Sequence, residues 1–191
     1  MIWQLTAIAV LLFFYTVYIG KMLAQRKRGI RTDQMAQRKS GTLFYIEFFL
    51  KISTYAIVAV EVLSIARNTS AFPQGMRILG LTFAVLGDIV FALAVWTMRD
   101  SWRAGIAQND QTEMVTTGIY RLSRNPAFLG FDLVYMGVMM MFFNWVLFAF
   151  TILAMVMLHL QILQEEKYLP SVFGKAYLTY KDRVGRYFWK L

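Results

Sequence analysis

Long apolar stretches separated by charged segments dominate the chain. Residues 3–20 carry no charge at all. Residues 43–66 are interrupted by Glu47, Lys51 and Glu61, and residues 76–98 by Arg77 and, near the centre, Asp88. A fourth block, residues 127–163, is longer than the roughly 20 residues that one transmembrane helix requires. It breaks at Phe143-Asn144-Trp145, where a polar residue sits between aromatics of the kind found at membrane interfaces. A tight hairpin of two helices, over residues 127–143 and 145–164, satisfies that pattern. The expectation is an all-α integral membrane protein with about five transmembrane helices. The first stretch has neither a basic lead nor a small-residue cleavage site and reads as an anchor, not a signal peptide.

Basic residues then orient the set. Lys21, Arg26, Lys27, Arg28, Arg31, Arg38 and Lys39 follow the first span, and Arg99, Arg103, Arg121 and Arg124 follow the third. Lys167, Lys175, Lys181, Arg183, Arg186 and Lys190 follow the fifth, whereas the opposite side has only Arg67 and Arg77. The positive-inside rule places the N-terminus outside and the C-terminus in the cytoplasm. An Asn68-Thr69-Ser70 sequon falls on the outer side, a short match that arises readily by chance. Beyond Pro170, Phe173, Ala176, Tyr177, Tyr180, Val184 and Tyr187 recur at helical spacing with basic residues between them. That pattern predicts a cytoplasmic amphipathic tail helix over residues 171–188, lying along the membrane surface. No repeat is visible, so residues 1–191 read as a single membrane domain.

Composition narrows the chemistry. The chain is 58% hydrophobic and only 16% charged, against about a quarter charged in an ordinary soluble domain. It has no cysteine and a single histidine, His159, which removes thiolate metal sites and makes a Ser-His-Asp triad remote; no metal is expected. The net charge of +9 lies beside the apolar runs, as suits anionic lipid and not nucleic acid.

Two constellations carry candidate chemistry. In Gly118-Ile119-Tyr120-Arg121-Leu122-Ser123-Arg124-Asn125-Pro126-Ala127-Phe128-Leu129-Gly130, Pro126 suits the first turn of a helix and Asn125 its N-cap. The N–H groups that follow, reinforced by Arg121 and Arg124, could hold a carboxylate; the plainer alternative is a basic helix start at the interface. Glu165-Glu166 close the last apolar helix, where acids face an unfavourable dipole. They call for a cation, either Arg124, Arg183 and Arg186 or a cationic cofactor.

Arg-Asn-Pro-x-Phe-x-Gly, followed by Glu-Glu-x-x-Leu-x-x-x-Phe-Gly-x-x-Tyr-x-x-Tyr-x-x-x-Val, resembles the membrane methyltransferases, which include isoprenylcysteine carboxyl methyltransferase and the phospholipid N-methyltransferases. The resemblance covers roughly residues 101–186. It implies S-adenosylmethionine as cofactor, held at the cytoplasmic ends of the last helices, with contacts from Tyr120, Arg124, Asn125, Pro126, Phe128, Gly130, Glu165 and Glu166. Glu166, Arg186 and Asn125 become the candidate catalytic residues. Trp102 and Arg103, which match a Trp-Arg pair in similar sequences, join Asp132 and Tyr177 as candidate contacts to a lipidic or amphiphilic small-molecule substrate. Two departures stand out: Asn125 and Phe128 replace the His and Tyr usual in isoprenylcysteine enzymes, and Trp189 replaces a proline near the chain end. Asn at this position is usual in the phospholipid branch and in bacterial relatives, so a bacterial-type member in the inner membrane is expected. No strand-Gly-x-Gly-helix signature is present, so a Rossmann sheet does not hold the cofactor.

Two rival readings follow. A membrane reductase of the sterol-reductase type, using NADPH, looks similar in the C-terminal region; a small non-enzymatic membrane scaffold would keep the fold alone. Asp88 within the membrane could be a site residue or the partner of Lys51. His159 shares a helix face with Glu166 and reads as a packed, hydrogen-bonded histidine. Met139-Met140-Met141 reads as adaptable packing.

Overall fold

The computed structural model describes residues 1–37, 39–106 and 112–188; Arg38, Trp189 and Lys190, which entered the charge and tail arguments, lie outside them. The protein is an all-helical integral membrane protein. Its helices are α1 (Ile2–Lys27), α2 (Gly41–Arg67), α3 (Gln74–Met98), α4 (Pro126–Met141) and α5 (Trp145–Arg183). Among the described residues extended pairing is limited to one parallel bridge between Asp33 and Ala104. Helices α1, α2, α3 and α5 are long and apolar enough to cross a membrane. At 16 residues α4 is shorter, about 24 Å at 1.5 Å per residue.

The expected hairpin forms between α4 and α5. Asn144 caps α5 by accepting from Leu147 N at 2.9 Å and donates its amide to Ser64 Oγ on α2 at 2.9 Å. One polar side chain therefore starts the last helix and ties it to α2, along which α5 packs. Helix α3 lies along α4 through small residues. A Cβ on Gly137 would fall 2.5 Å from the Gly80 carbonyl, and one on Gly130 would fall 2.7 Å from Phe91 Cβ. Backbones this close are how helices associate in lipid, where hydrocarbon offers no hydrophobic drive. Phe14, Phe91 and Phe131 close the core between α1, α3 and α4, with ring centroids 4.4 and 4.8 Å from Phe14. Met140 and Met141 are buried, consistent with the packing role expected of the methionine run.

Several expectations need correction. Helix α5 does not stop near residue 164. It runs through Pro170 and bends at Gly174 (φ 55, ψ −135) before ending at Arg183. The positive φ there suits a residue without a Cβ, so the redirection occurs at Gly174 and not at Pro170. The tail is thus a second helical stretch that starts after Gly174 and ends at Arg183, a narrower range than the expected 171–188. Glu165 and Glu166 consequently sit inside a helix and do not feel its C-terminal dipole. Lys51 pairs with Asp33 at 2.6 Å and not with Asp88, whose Oδ1 is buried without a partner. Asn125 occupies the N-cap position of α4, but its side chain makes no cap hydrogen bond.

Candidate active site

Past the Gly174 bend the tail folds back over the start of α4. Arg124 N donates to the Gly185 carbonyl at 3.0 Å, Ser123 Oγ to the Arg186 carbonyl at 3.1 Å, and Asn125 Nδ2 to the same carbonyl at 3.2 Å. Tyr180 donates its hydroxyl to the Tyr120 carbonyl at 2.7 Å. At the centre lies Glu166, 5% exposed, accepting from Arg124 Nη2 at 2.7 Å and from Arg186 Nη2 at 2.8 Å. The bond to Glu166 is the leading cause that raises the Arg186 guanidinium above its ordinary pKa, so the pair stays charged at any physiological pH. The protein's own arginines therefore supply the cations that Glu166 requires.

Adjacent helical residues point about 100° apart, and the two acids face different walls. Glu165 lines a partly open cavity together with Trp102, Arg103, Tyr120, Arg124, Asn125, Phe128 and Tyr177. Eight of the residues singled out from the sequence are thus brought to one cavity. Leu169, Phe173 and Tyr180 complete its apolar side. Burial pushes the Tyr120 phenol well above its ordinary pKa, so it stays neutral. Arg124 Nε and the Tyr177 hydroxyl are buried, and the two side chains neighbour one another with no further partner for either atom. An anionic group entering here would satisfy both, while Glu165 offers an acid to a cation.

Glu166, Arg186, Pro126, Gly130 and Asp132 do not line this cavity. Pro126 opens α4, and Gly130 serves the close approach to α3. Asp132, expected to face the cavity, lies four residues after the cavity-lining Phe128 but is itself buried, with its Oδ1 unpartnered, and does not line either cavity. His159 is hydrogen-bonded as expected, to the Tyr187 hydroxyl at 2.6 Å.

A second, mostly apolar cavity lies between α1, α2, α4 and α5. Tyr15, Tyr18, Leu50, Tyr55, Phe131 and Leu158 are among its walls. Trp102, Arg103, Ala127 and Phe128 belong to both cavities, so the two abut. The Trp102–Ile106 segment that forms much of this partition is held by groups far away in sequence. Gln25 Nε2 donates to the Trp102 carbonyl at 3.1 Å, and Ala104 N to the Thr32 carbonyl at 3.0 Å. Ile106 N donates to Glu47 Oε1 at 3.0 Å. Glu47 and Lys39 form an ion pair at 2.6 Å with side chains 0% and 2% exposed. Sequence reasoning missed Lys39, Glu47 and Gln161 as parts of one network. The available signal was Gln161 four residues before Glu165, on the same helix face.

Asn125→Ala tests whether that residue does more than tether the tail. Loss of its hydrogen bond to the Arg186 carbonyl should cost about 1 kcal/mol, and donor affinity should fall because Asn125 also lines the cavity. Asn125→His, which keeps an N–H donor, should retain both. Thermal melts and S-adenosylhomocysteine titration of the three proteins check this, and unchanged affinity in the alanine variant would reduce Asn125 to a tether.

The comparisons with known proteins bear on this geometry. Residues 79–171 match the isoprenylcysteine carboxyl methyltransferase family. A probable protein-S-isoprenylcysteine O-methyltransferase of Oryza sativa subsp. indica is 30% identical over 145 residues, which cover 71% of this chain and 76% of that protein. The chain belongs to the isoprenylcysteine carboxyl methyltransferase family. Its members are membrane methyltransferases that take S-adenosylmethionine as methyl donor. Protein-S-isoprenylcysteine O-methyltransferase B of Arabidopsis thaliana is 32% identical over 108 residues, 55% of each chain. The Saccharomyces cerevisiae enzyme is 29% identical over 113 residues, 56% of this chain and 46% of its own. The chain thus spans about half the length of these two relatives and three quarters of the rice protein. All three relatives are eukaryotic, whereas the Asn125 pattern had suggested a bacterial-type member.

Proposed function

We propose that the protein transfers a methyl group from S-adenosylmethionine to a lipidic or amphiphilic acceptor at the cytoplasmic face of its membrane. The observation that carries this reading is the pair of abutting cavities, one with Arg124, Asn125 and Glu165 in its wall and the other lined mainly by apolar and aromatic side chains, which meet at Trp102, Arg103, Ala127 and Phe128. Glu165 would hold the donor's ammonium; Arg124 Nε and the Tyr177 hydroxyl would take its carboxylate. Tyr120 and Phe128 supply aromatic surface. When bound, the donor supplies an electrophilic methyl whose transfer is an in-line displacement. Alignment of the two reactants is then the main contribution open to the protein. The apolar cavity would hold the acceptor's tail, and the partition would hold its nucleophilic atom toward the donor. Family membership favours a carboxylate oxygen as that atom, with a prenylated cysteine as the natural acceptor to try first.

The proposed orientation has a cytoplasmic C-terminus and an external N-terminus, as the basic residues suggest. The reductase reading fares worse on one observation. A dinucleotide's phosphates need several uncommitted basic groups, whereas Arg124 has only its Nε to offer, its Nη atoms serving Glu166 and the carbonyls of Lys181 and Val184. A thermal-shift comparison separates the two readings. S-adenosylhomocysteine should raise the melting temperature by several degrees at saturating concentration, as a ligand bound only to the folded state must, and NADPH should not. Stabilisation by NADPH alone would reverse the assignment.

A further inference from the structure

Glu47 lies on α2, is fully buried, and is joined to the donor cavity by a chain of hydrogen bonds. Lys39 Nζ reaches both of its oxygens at 2.6 Å. Ala36 N donates to Oε2 at 2.7 Å and Ile106 N to Oε1 at 3.0 Å. Gln161, one turn before Glu165 on α5 and also buried, donates from Nε2 to Glu47 Oε1 and to Glu165 Oε1, both at 3.2 Å. A primary amide has two N–H groups, and both are thereby used. The amide orientation follows from chemistry, because the flipped amide would set its oxygen against two carboxylate oxygens. An unbroken path thus runs from Lys39 in the α1–α2 loop through Glu47 and Gln161 to Glu165.

A buried ion pair is often no more stabilising than apolar side chains of similar volume. Stability alone therefore does not account for the Lys39–Glu47 pair, whose side chains are 2% and 0% exposed. Its connection to the cavity does. Glu165 carries its carboxylate on a long, rotatable side chain, and ordering such a side chain at the moment of binding costs affinity. Gln161 ties Oε1 of that carboxylate in advance, and Glu47 keeps Gln161 from turning away. Lys39 balances the charge of Glu47, which would otherwise stand as a second bare carboxylate behind Glu165. We propose that Glu47, held by Lys39, is a positioning residue for donor binding, acting through Gln161 to fix the Glu165 carboxylate where the donor's ammonium arrives. The inference rests on the donor site proposed above. It concerns orientation alone, with no proton or group transferred.

S-Adenosylhomocysteine keeps the donor's ammonium and carboxylate and serves as the probe, titrated calorimetrically into the full chain in detergent. Lys39→Met/Glu47→Leu removes the pair, and Gln161→Leu cuts the path while leaving the pair in place. Each is made with Glu165 intact and again together with Glu165→Gln. With Glu165 intact, both changes should weaken binding about tenfold, as for one lost hydrogen bond to a charged group. Together with Glu165→Gln they should add less than about threefold, because no carboxylate remains to be positioned and coupled residues are not additive. Lys39→Met/Glu47→Gln, which keeps one oxygen for Gln161 and Ile106 N, should recover most of the affinity. A role confined to folding predicts equal losses on both backgrounds, and that result overturns the proposal. So does wild-type affinity in Gln161→Leu, whether or not the pair variants fold, and so does a glutamine version that recovers nothing. Wild-type protein that fails to bind S-adenosylhomocysteine would remove the methyltransferase reading, and the proposal with it. Additive losses in a protein that does bind it remove the proposal alone.

Discussion

Glu166→Ala should lower stability by about 3–5 kcal/mol, the usual cost of leaving one partner of a buried ion pair without the other. Arg124 and Glu166 have side chains 7% and 5% exposed and lie 2.7 Å apart. The alanine variant would strand the Arg124 guanidinium in that space. Arg186 is more exposed, at 35%, and would rehydrate at little cost. The effect should be concentrated in the tail, because Glu166 holds both arginines around which residues beyond Gly174 fold back. Hydrogen exchange should therefore rise over residues 175–186 before it rises in α3 and α4. Donor affinity should collapse too, since Tyr177 and Tyr180 would leave the cavity. An alanine variant that melts with wild type, with its tail still protected, would show that the Glu166 cluster does not hold the site together.

Glu165→Gln should behave in the opposite way. Its carboxylate lines the donor cavity and accepts from Gln161 at 3.2 Å. An amide can turn its own oxygen to Gln161, so the fold should survive with a small change in melting temperature. Removing the charge should weaken S-adenosylmethionine binding by roughly tenfold to several hundredfold, the range for one lost charge-assisted contact. Calorimetry on wild type and variant gives the ratio. Equal affinities would take Glu165 out of the donor site and leave Arg124 and Tyr177 as the remaining polar candidates.

The two neighbouring acids show where one-dimensional reasoning stops. From the sequence they form one acidic pair at a helix end. In the folded chain one is enclosed by arginines and the other faces a cavity, because a step of one residue turns the side chain by about 100°. Features set by local chemistry were legible: Asn144 between aromatics starts a helix after a tight turn, and Pro126 opens α4. Eight of the candidate residues do line the donor cavity. What escaped depends on pairings across long separations. Glu47 collects donors from Lys39, Ala36, Ile106 and Gln161, and nothing near Glu47 in the chain announces Ile106 or Gln161. Asn125 looks like a helix cap because its type and position are right, yet its amide is taken by the Arg186 carbonyl. The reach of α5 was hidden for a similar reason. The last span was expected to end near residue 164, but its helix carries Pro170 and turns at Gly174.

Methyl transfer by the purified protein tests the central claim most directly. Wild-type protein in detergent or nanodiscs is incubated with S-adenosylmethionine labelled in its methyl group and with N-acetyl-S-farnesylcysteine, beside Glu165→Gln as the paired control. The account predicts a labelled, base-labile methyl ester on the acceptor with wild type and a severe loss with Glu165→Gln at the same donor concentration. Folded wild-type protein that binds S-adenosylhomocysteine but leaves the acceptor unlabelled, and labels no component of a total lipid extract, would contradict it.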